Sequence, residues 1–473
     1  MRRQIGLFLG PLLLIAVLLS PAPPGMEANA WRTAAVAVLM ATWWVTEAIP
    51  IPATALTPLV AFPLLGIAPI NAAAAPYANP VIFLFMGGFM IASALEGCGL
   101  HKRIALTIIS WVGTRPANLV AGFMAATAFL SMWVSNTATV VMMLPVALSI
   151  LALAEMTPDK PASPHLPVAL LLGIAYAANI GGIGTLIGTP PNALLAGFLS
   201  TTFGRQIGFA EWMMFGVPLV AVALPLCWLL LVKILYPVGT AHLSGSDIIA
   251  REVRSMGRIS PGEMIVGGIT ACVALAWVFQ PVLGNALPGL SDAGIAIAGA
   301  LLLFLVPVRL RPLKFALDWS RAERLPWAVL ILFGGGLSLA GAIQDTGLAA
   351  WIGSSLQWLR PFSPILVALA VTTVIVFLTE LTSNTATAAA FLPVAASLAI
   401  AMAVDPLLLA IPTAVGASCA FMMPVATPPN AIVYGSGRIA MPQMVKAGLW
   451  LNIILILLIN LLTMTLARFV FGF

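Results

Sequence analysis

The chain has 473 residues, of which 61% are hydrophobic and only 8% charged, where soluble domains average about 45–50% and about 25%. So few charges cannot cover a soluble surface of that size, so the composition excludes a string of soluble domains and indicates an integral membrane protein. The formal charge of +6, from 21 Lys and Arg against 15 Asp and Glu, reads as membrane orientation, not nucleic-acid binding.

Arg2 and Arg3 precede an apolar run to Leu19, followed by Ser20-Pro21-Ala22-Pro23-Pro24. A signal peptide has that shape, but in a chain that is apolar throughout the run reads as the first membrane helix. With 4–20, further runs long enough to span lie near 31–48, 51–67, 80–96, 168–199, 211–236, 262–281, 291–308, 326–344, 406–434 and 447–470, eleven in all. Two stretches, 117–153 and 361–402, are too long for one helix and carry Ser-Asn-Thr near the middle. Each is expected to enter the membrane and return, which polar backbone tolerates only where it is buried or lines a cavity. The segments 98–115 and 346–360 are mixed in polarity and end in Arg-Pro, which suits helices lying along the interface. The stretch 237–261, rich in Gly, Ser and charge, reads as a linker near the chain centre.

With the N-terminus in the cytoplasm, seventeen Lys and Arg fall on the inner side, Arg2, Arg3, Lys102, Arg103, Lys160, Arg321 and Arg324 among them. The outer side holds Arg32, Arg205, Arg360 and Arg468. That is a strong positive-inside bias; the expected setting is the cell's inner (plasma) membrane, and the odd number of spans puts the C-terminus outside.

The two halves repeat. Phe85-Met86-Gly87-Gly88 matches Phe333-Gly334-Gly335-Gly336, and Gly99-Leu100 matches Gly347-Leu348. Ser135-Asn136-Thr137-Ala138-Thr139 matches Ser383-Asn384-Thr385-Ala386-Thr387, all at one offset of 248 residues. Thr189-Pro190-Pro191-Asn192-Ala193 matches Thr427-Pro428-Pro429-Asn430-Ala431 at an offset of 238. An odd number of helices separates the two Ser-Asn-Thr motifs, so the halves are expected to be inverted, and inverted repeats with interrupted helices are a transporter architecture.

Thr-Pro-Pro-Asn cannot continue a helix, because the prolines lack N–H donors and clash with the preceding turn. The helices at 168–199 and 406–434 must therefore break at Thr189 and Thr427. Free carbonyls at a break suit a hard cation such as sodium. Helix N-termini are expected to offer N–H groups and positive dipole to an anion. Packing kinks and interhelical polar contacts explain such motifs singly, but not four motifs in two matched pairs. No Lys or Arg lies within 116–159, 161–204 or 361–437, so the anion must be held by neutral donors. Glu380, three residues before Ser383, stands where the first half has Met132; it is either functional or a residue that orients the hairpin. Glu47 and Glu96 read as interfacial. Cys98, Cys227, Cys272 and Cys419 read as buried packing, and His101, His165 and His242 as solvated side chains. A nucleophile, metal-ligand set or carboxylate pair at sensible spacing is missing, which argues against an enzyme.

These motifs resemble the divalent anion:sodium symporters, through both Ser-Asn-Thr tips, both Thr-Pro-Pro-Asn breaks and His101-Lys102-Arg103, over about 83–437. The resemblance implies an all-α polytopic membrane protein, a homodimer whose subunits have eleven transmembrane helices plus two re-entrant hairpins in inverted-topology repeats. It implies a scaffold (1–116 and 246–360) and a transport part (117–245 and 361–473) that slides as an elevator. It implies Na+ as coupling ion, with one sodium on Ser131, Ser135, Asn136 and Gly188 and a second on Thr379, Thr382, Asn384 and Ala426. Substrate carboxylates would fall to Asn136, Thr137, Asn384 and Thr385, with Thr189 and Thr427 nearby. The expected cargo is a small dianion, a C4-dicarboxylate first, with citrate, sulfate or sodium-free exchange as alternatives.

Overall fold

A computed structural model describes residues 2–113, 115–155, 163–239 and 246–473; Lys160 and His242 lie outside them. Every expected spanning range carries helix. Seven helices among the described residues, Arg2–Leu19 and Trp327–Asp345 among them, are long and apolar enough to cross a membrane. Shorter apolar helices make up the interrupted elements.

The two Ser-Asn-Thr stretches fold as helix, tip and helix: Pro116–Ser131 with Asn136–Glu155, and Pro364–Thr379 with Asn384–Ala401. Each first helix opens on a proline, whose missing N–H costs nothing in a first turn. The helices at the Thr-Pro-Pro-Asn motifs break as expected, into Leu166–Gly182 and Pro190–Phe203, and into Leu407–Ala417 and Pro428–Gly435. Leu407–Ala417 is buried at every position and Leu166–Gly182 at all but Pro167. Helices that are apolar all round belong inside protein, so the broken helices form the centre. Arg2–Leu19 lies outside, burying only Gly6 and Gly10.

The segments 98–115 and 346–360 contain the helices Leu100–Ser110 and Leu348–Ser355. The chain enters them through Gly99 (φ 80°) and Gly347 (φ 77°), both in the left-handed region that glycine occupies without a Cβ penalty. The repeated Gly-Gly motifs are close-packing devices. A Cβ on Gly87 would stand 2.6 Å from the carbonyl carbon of Ala296, and one on Gly335 2.2 Å from the carbonyl oxygen of Ala55. Phe85 and Phe333, at matching positions of the two halves, meet edge to face with centroids 5.1 Å apart.

Several expectations need correction. The fold is not wholly helical, because Pro307–Leu310 pairs antiparallel with Leu313–Phe315. The range 51–67 is two short helices, Ile51–Thr54 and Thr57–Leu64, because Pro52, Pro58 and Pro63 interrupt it. The linker contains a helix, Ser246–Ser255. Among the cysteines, Cys227 and Cys419 are buried, Cys98 is half-buried and Cys272 is exposed on an apolar helix. His101 is not simply solvated: its Nδ1 lies 3.1 Å from the Leu95 carbonyl, and burial holds its imidazole below the usual range. His165 is exposed.

Candidate functional site

Both hairpin tips and both broken helices meet on one cavity of about 1240 Å3. All six expected substrate residues line it: Asn136, Thr137, Thr189, Asn384, Thr385 and Thr427. Four helices start on its wall, at Asn136, Pro190, Asn384 and Pro428. Their N-terminal dipole ends make it favourable to anions without a fixed cation. The two hairpin starts also supply first-turn N–H groups, which have no partner within their own helix.

The broken helices differ from expectation here. Their first two positions are prolines and offer no N–H. At the second break the Asn430 N–H is already spent on Thr427 Oγ1, at 3.4 Å. The side chains the breaks present to the cavity as donors include the hydroxyls of Thr189 and Thr427.

Behind each tip sits a matched cluster of oxygens. Ser131 Oγ touches Asn136 Oδ1 and lies 2.7 Å from the Ala178 carbonyl. Thr379 Oγ1 lies 2.8 Å from Asn384 Oδ1 and 2.9 Å from the Ala417 carbonyl. Each hydroxyl has one proton and faces two oxygen acceptors. A Cβ on Gly182 would lie 2.9 Å from the Gly188 carbonyl oxygen and 3.0 Å from Asn136 Oδ1, so those two oxygens flank the same spot. The hydroxyls of Ser135 and Thr382 also have protein partners. Ser135 Oγ accepts the Ala138 N–H, and Thr382 Oγ1 pairs with Thr387 Oγ1 and the Leu378 carbonyl. Ser135, Gly188, Thr382 and Ala426 line the cavity, whereas Ser131 and Thr379 are wholly buried behind the tips.

Several further residues hold this geometry, some from the repeated motifs (Asn192, Asn430) and some without any sequence signal beyond their type (Asn179, Ser418). Asn192 Nδ2 turns back to the carbonyls of Gly182, Ile183 and Thr185, at 3.3, 3.2 and 2.8 Å. Asn430 Nδ2 does the same to Ala420 and Met423, at 3.2 and 3.1 Å. Asn179 and Ser418 cross-link the breaks: Asn179 Nδ2 donates to Thr427 Oγ1 at 3.1 Å, and Ser418 Oγ stands 3.4 Å from Thr189 Oγ1. Glu380 is 3% exposed and serves the orienting reading, since it accepts the N–H groups of Phe421, Met422 and Met423 and the Asn452 amide. The first half has Met132 there, and its carbonyl accepts the Thr185 hydroxyl at 2.6 Å instead.

The deep wall is neutral, as the sequence requires, but the mouth is not. Arg2, Arg321, Arg324, Glu47 and Glu96 line its outer part. Arg2 pairs with Glu47 at 3.3 Å and donates to the Leu381 carbonyl of the second tip at 2.7 Å.

A family model described as the sodium:sulfate symporter transmembrane region matches residues 2–472 of this chain. The chain belongs to that family. The resemblance to divalent anion:sodium symporters therefore extends over nearly its whole length. Among similar proteins, the sodium-dependent dicarboxylate transporters SdcS of Staphylococcus saprophyticus and Staphylococcus aureus are each 42% identical over 477 residues, covering 99% of this chain and 92% of theirs. Family and relatives are transporters, not enzymes. A crystal structure of the Alcanivorax borkumensis YdaH transporter is similar with a TM-score of 0.56, at 16% identity, covering 100% of this chain and 97% of that one. At that identity the likeness concerns the fold alone.

Proposed function

We propose that this sodium:sulfate symporter family member is a secondary active transporter that imports C4-dicarboxylates, such as succinate, malate or fumarate, by symport with Na+. The observation that carries the reading is the pairing of Asn136 and Asn384 at two matched helix starts on one cavity. Each start, with Thr137 or Thr385 beside it, takes one carboxylate through N–H groups and side-chain donors. Two clamps facing one space suit a dianion with a carboxylate at each end.

Sodium is the second cargo. The first site uses Ser131, Asn136 and Gly188 with Ser135, and the second uses Thr379, Asn384 and Ala426 with Thr382. A hydroxyl with one proton between two oxygen acceptors leaves an oxygen contact that a cation relieves, and this occurs in both halves. Asn136 and Asn384 each belong to an oxygen cluster and to the cavity wall, so cation and substrate binding are coupled through them. With more sodium than substrate charge, transport responds to voltage, by about 2.3 kcal/mol per net charge per 100 mV.

Residues 117–245 and 361–473 form the transport part, and 1–116 and 246–360 the scaffold. The halves are inverted, the protein is a homodimer in the lipid of the inner membrane, and the transport part moves as an elevator. The N-terminus lies in the cytoplasm and the C-terminus outside, an orientation that the cation distribution supports. In that orientation Arg2, Arg321 and Arg324 at the mouth support a cavity facing the cytoplasm.

The test is labelled succinate uptake into proteoliposomes, with an inward sodium gradient or with potassium in its place, and with or without internal succinate. Sodium-dependent uptake that needs no internal substrate is expected, lost in Asn136→Ala and in Asn384→Ala. Uptake that ignores sodium and needs internal dicarboxylate would make this an exchanger. Unlabelled citrate and sulfate as competitors rank the other dianions.

A further inference from the structure

We infer that Asn179 is a positioning residue for the substrate: it fixes the Thr427 hydroxyl as a hydrogen-bond donor into the cavity, and so makes the two carboxylate clamps unequal. This rests on the reading of Thr427 as a substrate ligand and assigns the group that sets its polarity.

A threonine hydroxyl has two lone pairs and one proton. Thr427 Oγ1 accepts from Asn179 Nδ2 at 3.1 Å and from the Asn430 N–H at 3.4 Å. Both neighbours are donors, so both lone pairs are engaged and the proton must turn away from them. Thr427 lies on the cavity wall, where a carboxylate oxygen would accept it. The amide of Asn179 cannot reverse this without loss, because its nitrogen also faces the Ala420 carbonyl at 3.4 Å; a flip would set oxygen against oxygen. Asn179 borders the same cavity with only 2% of its surface exposed, so its Nδ2 is committed to these two oxygens.

The matching hydroxyl is held differently. Thr189 Oγ1 meets Ser418 Oγ at 3.4 Å, and either oxygen can be the donor. Thr189 can therefore turn donor or acceptor toward the cavity as its ligand demands. Asn179 reaches Thr427 across 248 residues, from one repeat to the other, so the committed clamp of the second half is set by the first.

The experiment is a double-mutant cycle in the full-length protein reconstituted with lipid, reading half-saturating succinate and maximal rate at saturating sodium. Sodium-induced thermal stabilisation without succinate is measured alongside. Thr427→Ala and Asn179→Ala are each expected to raise half-saturating succinate by about tenfold, with the sodium-induced shift retained. Asn179→Ala in the Thr427→Ala background is expected to add less than about twofold, because its effect passes through the hydroxyl. Should Asn179→Ala not yield a monodisperse protein, Asn179→Ser, which copies Ser418, carries the same coupling test with a smaller rise. Independent, multiplying effects would overturn the inference, as would loss of the sodium-induced shift in the Asn179 variants alone. If Thr427→Ala leaves succinate affinity unchanged, Thr427 is not a ligand, and that part of the site falls together with the inference.

Discussion

Both carboxylate oxygens of Glu380 accept the backbone N–H of Met422, at 2.9 and 3.0 Å. Phe421 and Met423 donate to either side of it, at 2.7 and 3.1 Å, and Asn452 adds its amide at 2.8 Å. Glu380 follows the last helical residue of Pro364–Thr379, so the contact ties the second hairpin to the loop of the second break.

Every partner of Glu380 is a donor, so Glu380→Gln would set an amide N–H against backbone N–H groups. Unmet buried donors cost about 1–3 kcal/mol each. The expected result is a lower melting temperature and at least a tenfold loss of uptake, with the pH profile of the remainder unchanged. A flattened profile would instead give Glu380 a proton-carrying role.

Gly448 supports the same loop from the other side. A Cβ there would lie 2.4 Å from the Phe421 carbonyl carbon and oxygen and 2.5 Å from the Met422 nitrogen. These are backbone atoms and cannot rotate away, so Gly448→Ala must displace the loop. It should reproduce the Glu380→Gln defect in uptake and stability. Gly268→Ala is the control, since a Cβ there meets nothing within 4 Å and alanine favours helix by about 1 kcal/mol; its uptake should match the native protein.

Asn192 and Asn430 hold the two breaks with unequal numbers of bonds, to three and two carbonyls. Asn192→Ala should therefore lower the melting temperature more than Asn430→Ala. Both should weaken the stabilisation by sodium, measured by thermal unfolding in sodium against choline chloride.

Arg2 bridges Glu47 and the second tip through the Leu381 carbonyl, and its side chain is half exposed. Exposed ion pairs contribute about 0–1 kcal/mol and are screened by salt. Arg2→Ala should leave half-saturating succinate and the melting temperature unchanged while raising the maximal rate by less than about fivefold. Added choline chloride should narrow the gap between variant and native protein.

The hairpins, the breaks and six of the residues on the cavity wall were legible because their signals are local. Two consecutive prolines stop a helix wherever they stand, and a polar tip flanked by apolar runs has few solutions in a membrane. The residues that shape the site were not legible. Asn179 is a single polar residue in an apolar helix and Ser418 one just past the end of another, and nothing near them in the chain names Thr427 or Thr189. Glu380 was singled out by its charge, but its partners are backbone N–H groups that every residue carries. The cations at the mouth lie far in sequence from the hairpin tips, so counting charges near the motifs passed over them.

By itself the sequence determined the membrane class, the repeat, the two tips and the two breaks, since each follows from hydropathy or from the chemistry of adjacent residues. Only the tertiary structure decided which hydroxyl faces which amide, which glycine must stay bare and which loop the buried carboxylate holds. Those choices depend on atoms brought within about 3 Å from segments as much as 248 residues apart, as Asn179 and Thr427 are, and a hydrogen bond is set by distance and direction, which composition and spacing do not contain.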